Sequence, residues 1–118
     1  MIEVLKKGSI KGFLFLIVRR RLGICSYIAV PNSHPWANKD YMDLPYCDFT
    51  YSRESEKFDI SFFPKGLWVF GNDYMDHYRM VHTDIGSTFR VEPAGPELVL
   101  RGLRKTASIL SPSKFYFS

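Results

Sequence analysis

Residues 11–30 read KGFLFLIVRRRLGICSYIAV, and two apolar runs lie inside them, Lys11 to Arg19 and Ile24 to Val30. Both are rich in Phe, Ile, Val or Tyr, whose branched or flat side chains suit a pleated strand. The link between them, Arg20-Arg21-Leu22-Gly23, is short and ends in a glycine that tolerates positive φ. Two such runs joined by so short a link predict a β-hairpin. Pro31 ends the second strand, because proline has no N–H to give to the ladder. The apolar core of the first run, Phe13 to Val18, falls well short of the roughly 20 residues a membrane helix needs. Lys11 and the Arg19 to Arg21 run bracket it tightly.

Downstream, Asp48 to Arg53 alternates loosely and runs into a polar turn, Glu54 to Lys57. The apolar run Phe58 to Phe63 (FDISFF) follows and is broken by Pro64-Lys65-Gly66, a turn signal. Leu67 to Phe70 (LWVF) is a buried strand candidate that stops at Gly71. Ala94-Gly95-Pro96-Glu97 has the form of a helix start, with proline at the first helical position and an acid in the first turn. Val99, Leu100, Leu103, Ala107 and Leu110 then recur at helical spacing, with Arg101, Arg104 and Lys105 on the other side, and Ser111-Pro112 closes the element. The expected fold class is α+β: an antiparallel β-sheet with one C-terminal amphipathic helix of about 15 residues packed on one face.

The length of 118 residues suits a single domain spanning 1–118. Hydrophobic and aromatic contents of 46% and 16% exclude a disordered chain. Charge is unevenly spread. Residues 1–30 hold six basic residues and one acid, residues 31–84 five and nine, and residues 85–118 five and two. A nucleic-acid-binding domain is usually basic across its working surface, and here the polar loops are acidic, so nucleic acid is the less favoured partner. Cys25 and Cys47 have neither CxxC spacing nor a third partner. They are read as reduced, buried thiols of a cytoplasmic protein. The aromatic tail Lys114 to Ser118 is expected to pack on the domain or on a second copy, which makes a homo-oligomer an option.

Side chains with chemical potential gather in two loops. The first contains His34, Pro35, Trp36, Lys39, Tyr41 and Asp43. An indole and a phenol there could sandwich a flat ligand while Lys39 meets an anion; stacking on such rings contributes about 1–3 kcal/mol per base. The competing structural reading has Trp36 and Tyr41 plug the loop onto the core. Thr50 and Tyr51 add hydroxyls, but no Gly-x-Ser-x-Gly elbow surrounds them, so a serine nucleophile is not expected. The second loop brings Asp73, Asp76 and His77 within five residues, with His82 and Asp84 beyond. Such a set can bind a divalent metal or share a proton, although without a recognised ligand motif a solvated turn is favoured. No glycine-rich phosphate loop is present.

Tyr27-Ile28-Ala29-Val30-Pro31, His34-Pro35, Lys39, Tyr41 and Asp43 together resemble a family of small uncharacterised proteins of tailed phages and prophages. That family runs G-Y-V-x-V-P-x-x-H-P-x-x-x-K-x-Y-x-D, then H-G-G-L-T-Y-S, then W-x-x-G-F-D-C-x-H, and finishes with an amphipathic helix. The chain matches the second block in Thr50-Tyr51-Ser52 and the third in Trp68, Gly71 and Asp73. It departs where Tyr46 replaces a histidine, Cys47 and Asp48 replace glycines, and Asp76 replaces the later histidine. The resemblance implies an accessory role inside a bacterial host cell, such as blunting defence or redirecting a host enzyme. The lost histidines tilt it from enzyme towards binding module.

The expectation is therefore a non-catalytic binding or inhibitory protein acting on a host protein or a nucleotide-like small molecule. His34, Trp36, Lys39, Tyr41, Asp43, Thr50, Tyr51 and Asp73 would line a shared hollow; no cofactor and no membrane is implied. The alternative is a small metal-assisted phosphoester hydrolase, with His34 or His77 as general base and Asp73 and Asp76 as metal ligands or proton partners.

Overall fold

In the run Phe13 to Arg20 nearly every position up to Val18 is buried, so apolar side chains point to both sides of the strand. A strand is continuously apolar only when both of its faces are covered. The computed structural model, which describes residues 2–20, 23–45, 49–72, 78–82, 89–93 and 96–111, shows how that cover is built. Four antiparallel pairings give a sheet of β1 (Glu3–Ile10), β2 (Phe13–Arg20), β3 (Gly23–Pro31), β4 (Tyr51–Glu54) and β5 (Leu67–Asn72), in the order β1-β2-β3-β5-β4. A separate hairpin pairs β6 (Tyr78–His82) with β7 (Phe89–Pro93), and α1 (Pro96–Leu110) follows.

The fold class is α+β as expected, and α1 has the boundaries that its proline start and apolar spacing predict. The hairpin of β2 and β3 is present, with Arg20 opposite Gly23, so the link is shorter than the four residues read from the sequence. Leu67 begins a strand that runs past Gly71 to Asn72. Two elements were not foreseen. β1 is a polar edge strand, tied to β2 by a tight turn in which Lys11 and Gly12 both adopt positive φ, 53° and 85°. A bulge between Val4 and Lys6 sets Leu5 against the helix-side core. Bulges and lysines are common devices for blunting an exposed edge. The β6–β7 hairpin falls where the sequence showed only a polar cluster.

The two faces of the sheet carry separate cores. On one face Phe13, Phe15, Ile17, Ile28, Val30 and Phe70 pack with Val99, Leu103, Ala107 and Leu110 of α1, and with Trp36 and Phe49 from the loop after β3. On the other, Leu16, Val18, Cys25, Tyr27, Ala29 and Val69 pack beneath Phe58 and Phe63. Fully burying a Leu, Ile or Val side chain is worth about 1.5–3 kcal/mol, so neither face could stay bare. The second cover is not a strand. Residues 58–63, apolar though they are, bend as a loop whose ends meet. Ser55 Oγ accepts the Leu67 N–H at 3.2 Å, and Glu56 Oε1 accepts the Gly66 N–H at 3.1 Å. The Gly66 N–H and then the Ser55 hydroxyl hold the Glu56 carboxyl below its ordinary value.

Arg20 locks this loop to the sheet. Its guanidinium forks onto both carboxylate oxygens of Asp59 at 2.8 and 3.0 Å, while its Nε–H donates to the Tyr27 hydroxyl at 2.9 Å. The fork depresses the Asp59 carboxyl and raises Arg20. Tyr27 is 1% exposed and touches Tyr51 and Phe58 edge-on, with ring centroids at 5.6 and 4.7 Å. Its ring lies across Gly71 on the neighbouring strand.

A methyl group at Gly71 would collide with the Tyr27 ring and come within 2.8 Å of the Ser26 carbonyl oxygen. Gly71→Ala is therefore expected to cost about 3 kcal/mol, the upper end of overpacking penalties. Urea unfolding followed by tryptophan fluorescence measures it, and a loss below about 1 kcal/mol would refute the packing described.

Candidate functional site

The loop after β3 is a chain of tight turns. His34 N–H donates to Pro31 O at 2.9 Å, Ala37 N–H to His34 O at 2.9 Å, and Lys39 N–H to Trp36 O at 3.3 Å. Asn38 sits at φ 63°, in the left-handed region that asparagine tolerates better than most residues. These turns direct His34 and Trp36 inward, to 8% and 7% exposure. The His34 ring meets Trp36 and Phe13 through ring edges, with centroid distances of 6.1 Å to both.

Both nitrogens of His34 are engaged. Nδ1 accepts the Trp36 backbone N–H at 3.0 Å, and Nε2 lies 2.8 Å from the Leu110 carbonyl oxygen. A carbonyl can only accept, so the ring is neutral with its proton on Nε2. His34 thus pins the loop to the last turn of α1, 76 positions away in sequence. Such a ring has no nitrogen left to take a proton from a substrate, and its burial keeps ligands away. Burial pushes its pKa below the ordinary 6.5, an effect that the contact with the Leu110 carbonyl offsets only in part.

Beyond Trp36 the loop turns outward and becomes a hydrogen-bonded platform. Asp40 caps the 3-10 turn Tyr41–Asp43 by accepting the Met42 N–H at 2.9 Å. The Tyr41 N–H donates to Ser52 Oγ of β4 at 3.0 Å, and the Trp68 indole N–H donates to the Lys39 carbonyl at 3.1 Å. Tyr41 and Trp68 are half-buried against the helix-side core. What these bonds hold up is Met42, 73% exposed, with Lys39, Asp40 and Asp43 exposed around it. Among the described residues none of those three charges forms an ion pair.

Of the eight residues expected to share a hollow, the seven that the structure describes separate. Lys39, Tyr41 and Asp43 stay together on the platform, while His34 and Trp36 serve the core beneath it. Tyr51 lies on the opposite face of the sheet, opposite Gly71 and against Tyr27 and Phe58. Thr50 is half-buried and extends the β4–β5 ladder, its N–H donating to Gly71 O at 2.9 Å. Asp73 lies outside the described residues, as do Cys47, Asp76, His77, Asp84 and the aromatic tail. Met42 and Trp68, which complete the platform, were not among the expected site residues, since neither the exposure of one nor the N–H partner of the other is a local property of the sequence. Among the described residues no group of three or more His, Cys, Asp or Glu is placed to hold a metal ion. No helix among them is long and apolar enough to cross a membrane.

Because the fold holds His34 neutral, the unfolded chain binds its proton more readily. This contribution to stability is complete above the ordinary histidine range, falls as pH drops through about 6.5, and levels off once the folded ring is protonated. His34→Ala should lose about 3 kcal/mol at pH 8, from the vacated space and two stranded backbone groups. The difference from the parent protein should shrink by pH 5 in paired urea titrations. A difference that grows towards acid pH would contradict this protonation state. Comparison with protein-family models, with curated proteins and with solved structures returned no match.

Proposed function

We propose that the chain is a phage-type accessory protein that acts inside a bacterial cell by binding and inhibiting a host protein, without chemistry of its own. The observation that carries this reading is Met42, a large apolar side chain 73% exposed at the tip of a turn that hydrogen bonds make rigid. Exposing such a group to water brings no benefit to the fold itself. Methionine is a favoured contact residue at protein interfaces, where its flexible thioether fills irregular hollows. Immobilising the turn beforehand spares the ordering cost that a mobile loop would incur on binding. Lys39, Asp40 and Asp43 form a charged rim of mixed sign, the kind of border that sets orientation and excludes wrong partners.

The sequence blocks that resemble phage proteins support the cellular setting, and His-Pro-x-x-x-Lys-x-Tyr-x-Asp is the segment that builds the platform. A protein partner fits better than a nucleotide-like ligand, because Trp36 is spent in the core and offers no open face for stacking. The hydrolase reading loses His34 as its base, for the reason given above.

A photo-crosslinking residue at position 43 in the chain expressed in bacteria should trap one host protein saturably. Met42→Asp should then weaken the affinity for that protein by about 2 kcal/mol, roughly thirtyfold, with an unchanged melting midpoint. Equal affinities for Met42→Asp, Lys39→Ala and the parent protein would remove the platform from the binding surface.

A further inference from the structure

One side of α1 is buried through Val99, Leu103, Thr106, Ala107 and Leu110, and its exposed side carries Arg101, Arg104 and Lys105. Spacings of three and four residues bring these cations together on the helix surface. The only carboxylate of the helix, Glu97, lies 2.7 Å from Lys6 Nζ of β1, so its charge is answered mainly from the sheet and only more weakly by Arg104. Among the described residues no ion pair engages Arg101, Arg104 or Lys105. Solvated protein surfaces ordinarily intersperse both signs of charge; beyond its first turn this helix carries one sign.

Gly102 adds a second observation. Glycine is among the least favourable residues inside a helix. Here it is exposed, and a Cβ at this position would meet nothing within 4 Å, so no internal contact calls for it. Its absence of a side chain leaves bare backbone beside the cations, where another chain can approach closely.

We propose that this face of α1 docks on the sugar-phosphate backbone of duplex nucleic acid without reading sequence. Two guanidinium forks match phosphate oxygens bidentately, and the lysine adds a point charge. From Arg101 to Lys105 the helix rises about 6 Å, enough to span two successive phosphates at about 3.4 Å per nucleotide. α1 itself, Pro96–Leu110, contains no aromatic residue. Unpaired bases are held by stacking on rings, so the duplex backbone suits this surface better than a single strand. The site is separate from the Met42 platform and does not depend on its role.

The test is fluorescence anisotropy of the full chain with a labelled duplex of arbitrary sequence, between about 50 and about 200 mM salt. The expected dissociation constant lies at roughly 10⁻⁴–10⁻⁶ M, with a log–log salt slope of about −1.8 for the two phosphates spanned. R101A/R104A/K105A should keep the parent's circular dichroism spectrum while binding falls at least about tenfold and the slope approaches zero. Gly102→Ala should raise the melting midpoint yet weaken duplex binding. The assignment is overturned by absence of duplex binding in the parent protein or by full affinity in either variant. Tighter binding of the parent to polyglutamate than to the duplex would also overturn it, in favour of an acidic protein surface.

Discussion

A strand that is apolar on both sides needs two covers, and a single helix supplies one. Phe13, Phe15 and Ile17 point from β2 into the core beneath α1, while Leu16 and Val18 point the other way. The chain between β3 and β5 resolves the conflict by serving both faces in turn. It first lays Trp36, Tyr41, Leu44 and Phe49 beside the helix, then crosses as β4, then folds Phe58 and Phe63 over the reverse side. Each cover needs a fastener, because loops lack the repeating hydrogen bonds of a sheet. His34 fastens one to the end of α1, and the Arg20–Asp59 fork fastens the other to β2.

This division of labour explains why side chains that promise chemistry are so often structural here. An imidazole with two engaged nitrogens, an indole in the core and a phenol set edge-on against its neighbours all serve to hold loops in place. What the fasteners leave exposed is the turn carrying Lys39, Asp40, Met42 and Asp43. The platform is tied to β4 and β5 by Tyr41 and Trp68, which also pack on the core beneath it.

Charge follows a similar logic. The sequence is basic at both ends and acidic between, a pattern that says little by itself about surfaces. In the structure the ends meet, since β1 and α1 lie side by side and Lys6 neutralises Glu97. Beyond the first turn α1 carries only positive charge, answered on its own helix by no more than a weaker attraction between Arg104 and Glu97, although the chain carries only +4 overall.

The sequence alone determined the α+β class, the β2–β3 hairpin, the strand that starts at Leu67 and both ends of α1. Those features depend on neighbours within a few positions: apolar spacing, a proline that starts a helix, a glycine near a turn. It did not disclose β1, whose Lys6, Lys7 and Gly8 mask an edge strand, nor the bend of residues 58–63, whose composition suits a strand equally well. Only the tertiary structure decided that Tyr51 and Trp36 lie on opposite faces and that His34 answers Leu110. Register is the reason: strand pairing and helix placement choose which distant groups meet, and a shift of one residue would send each side chain to the other face.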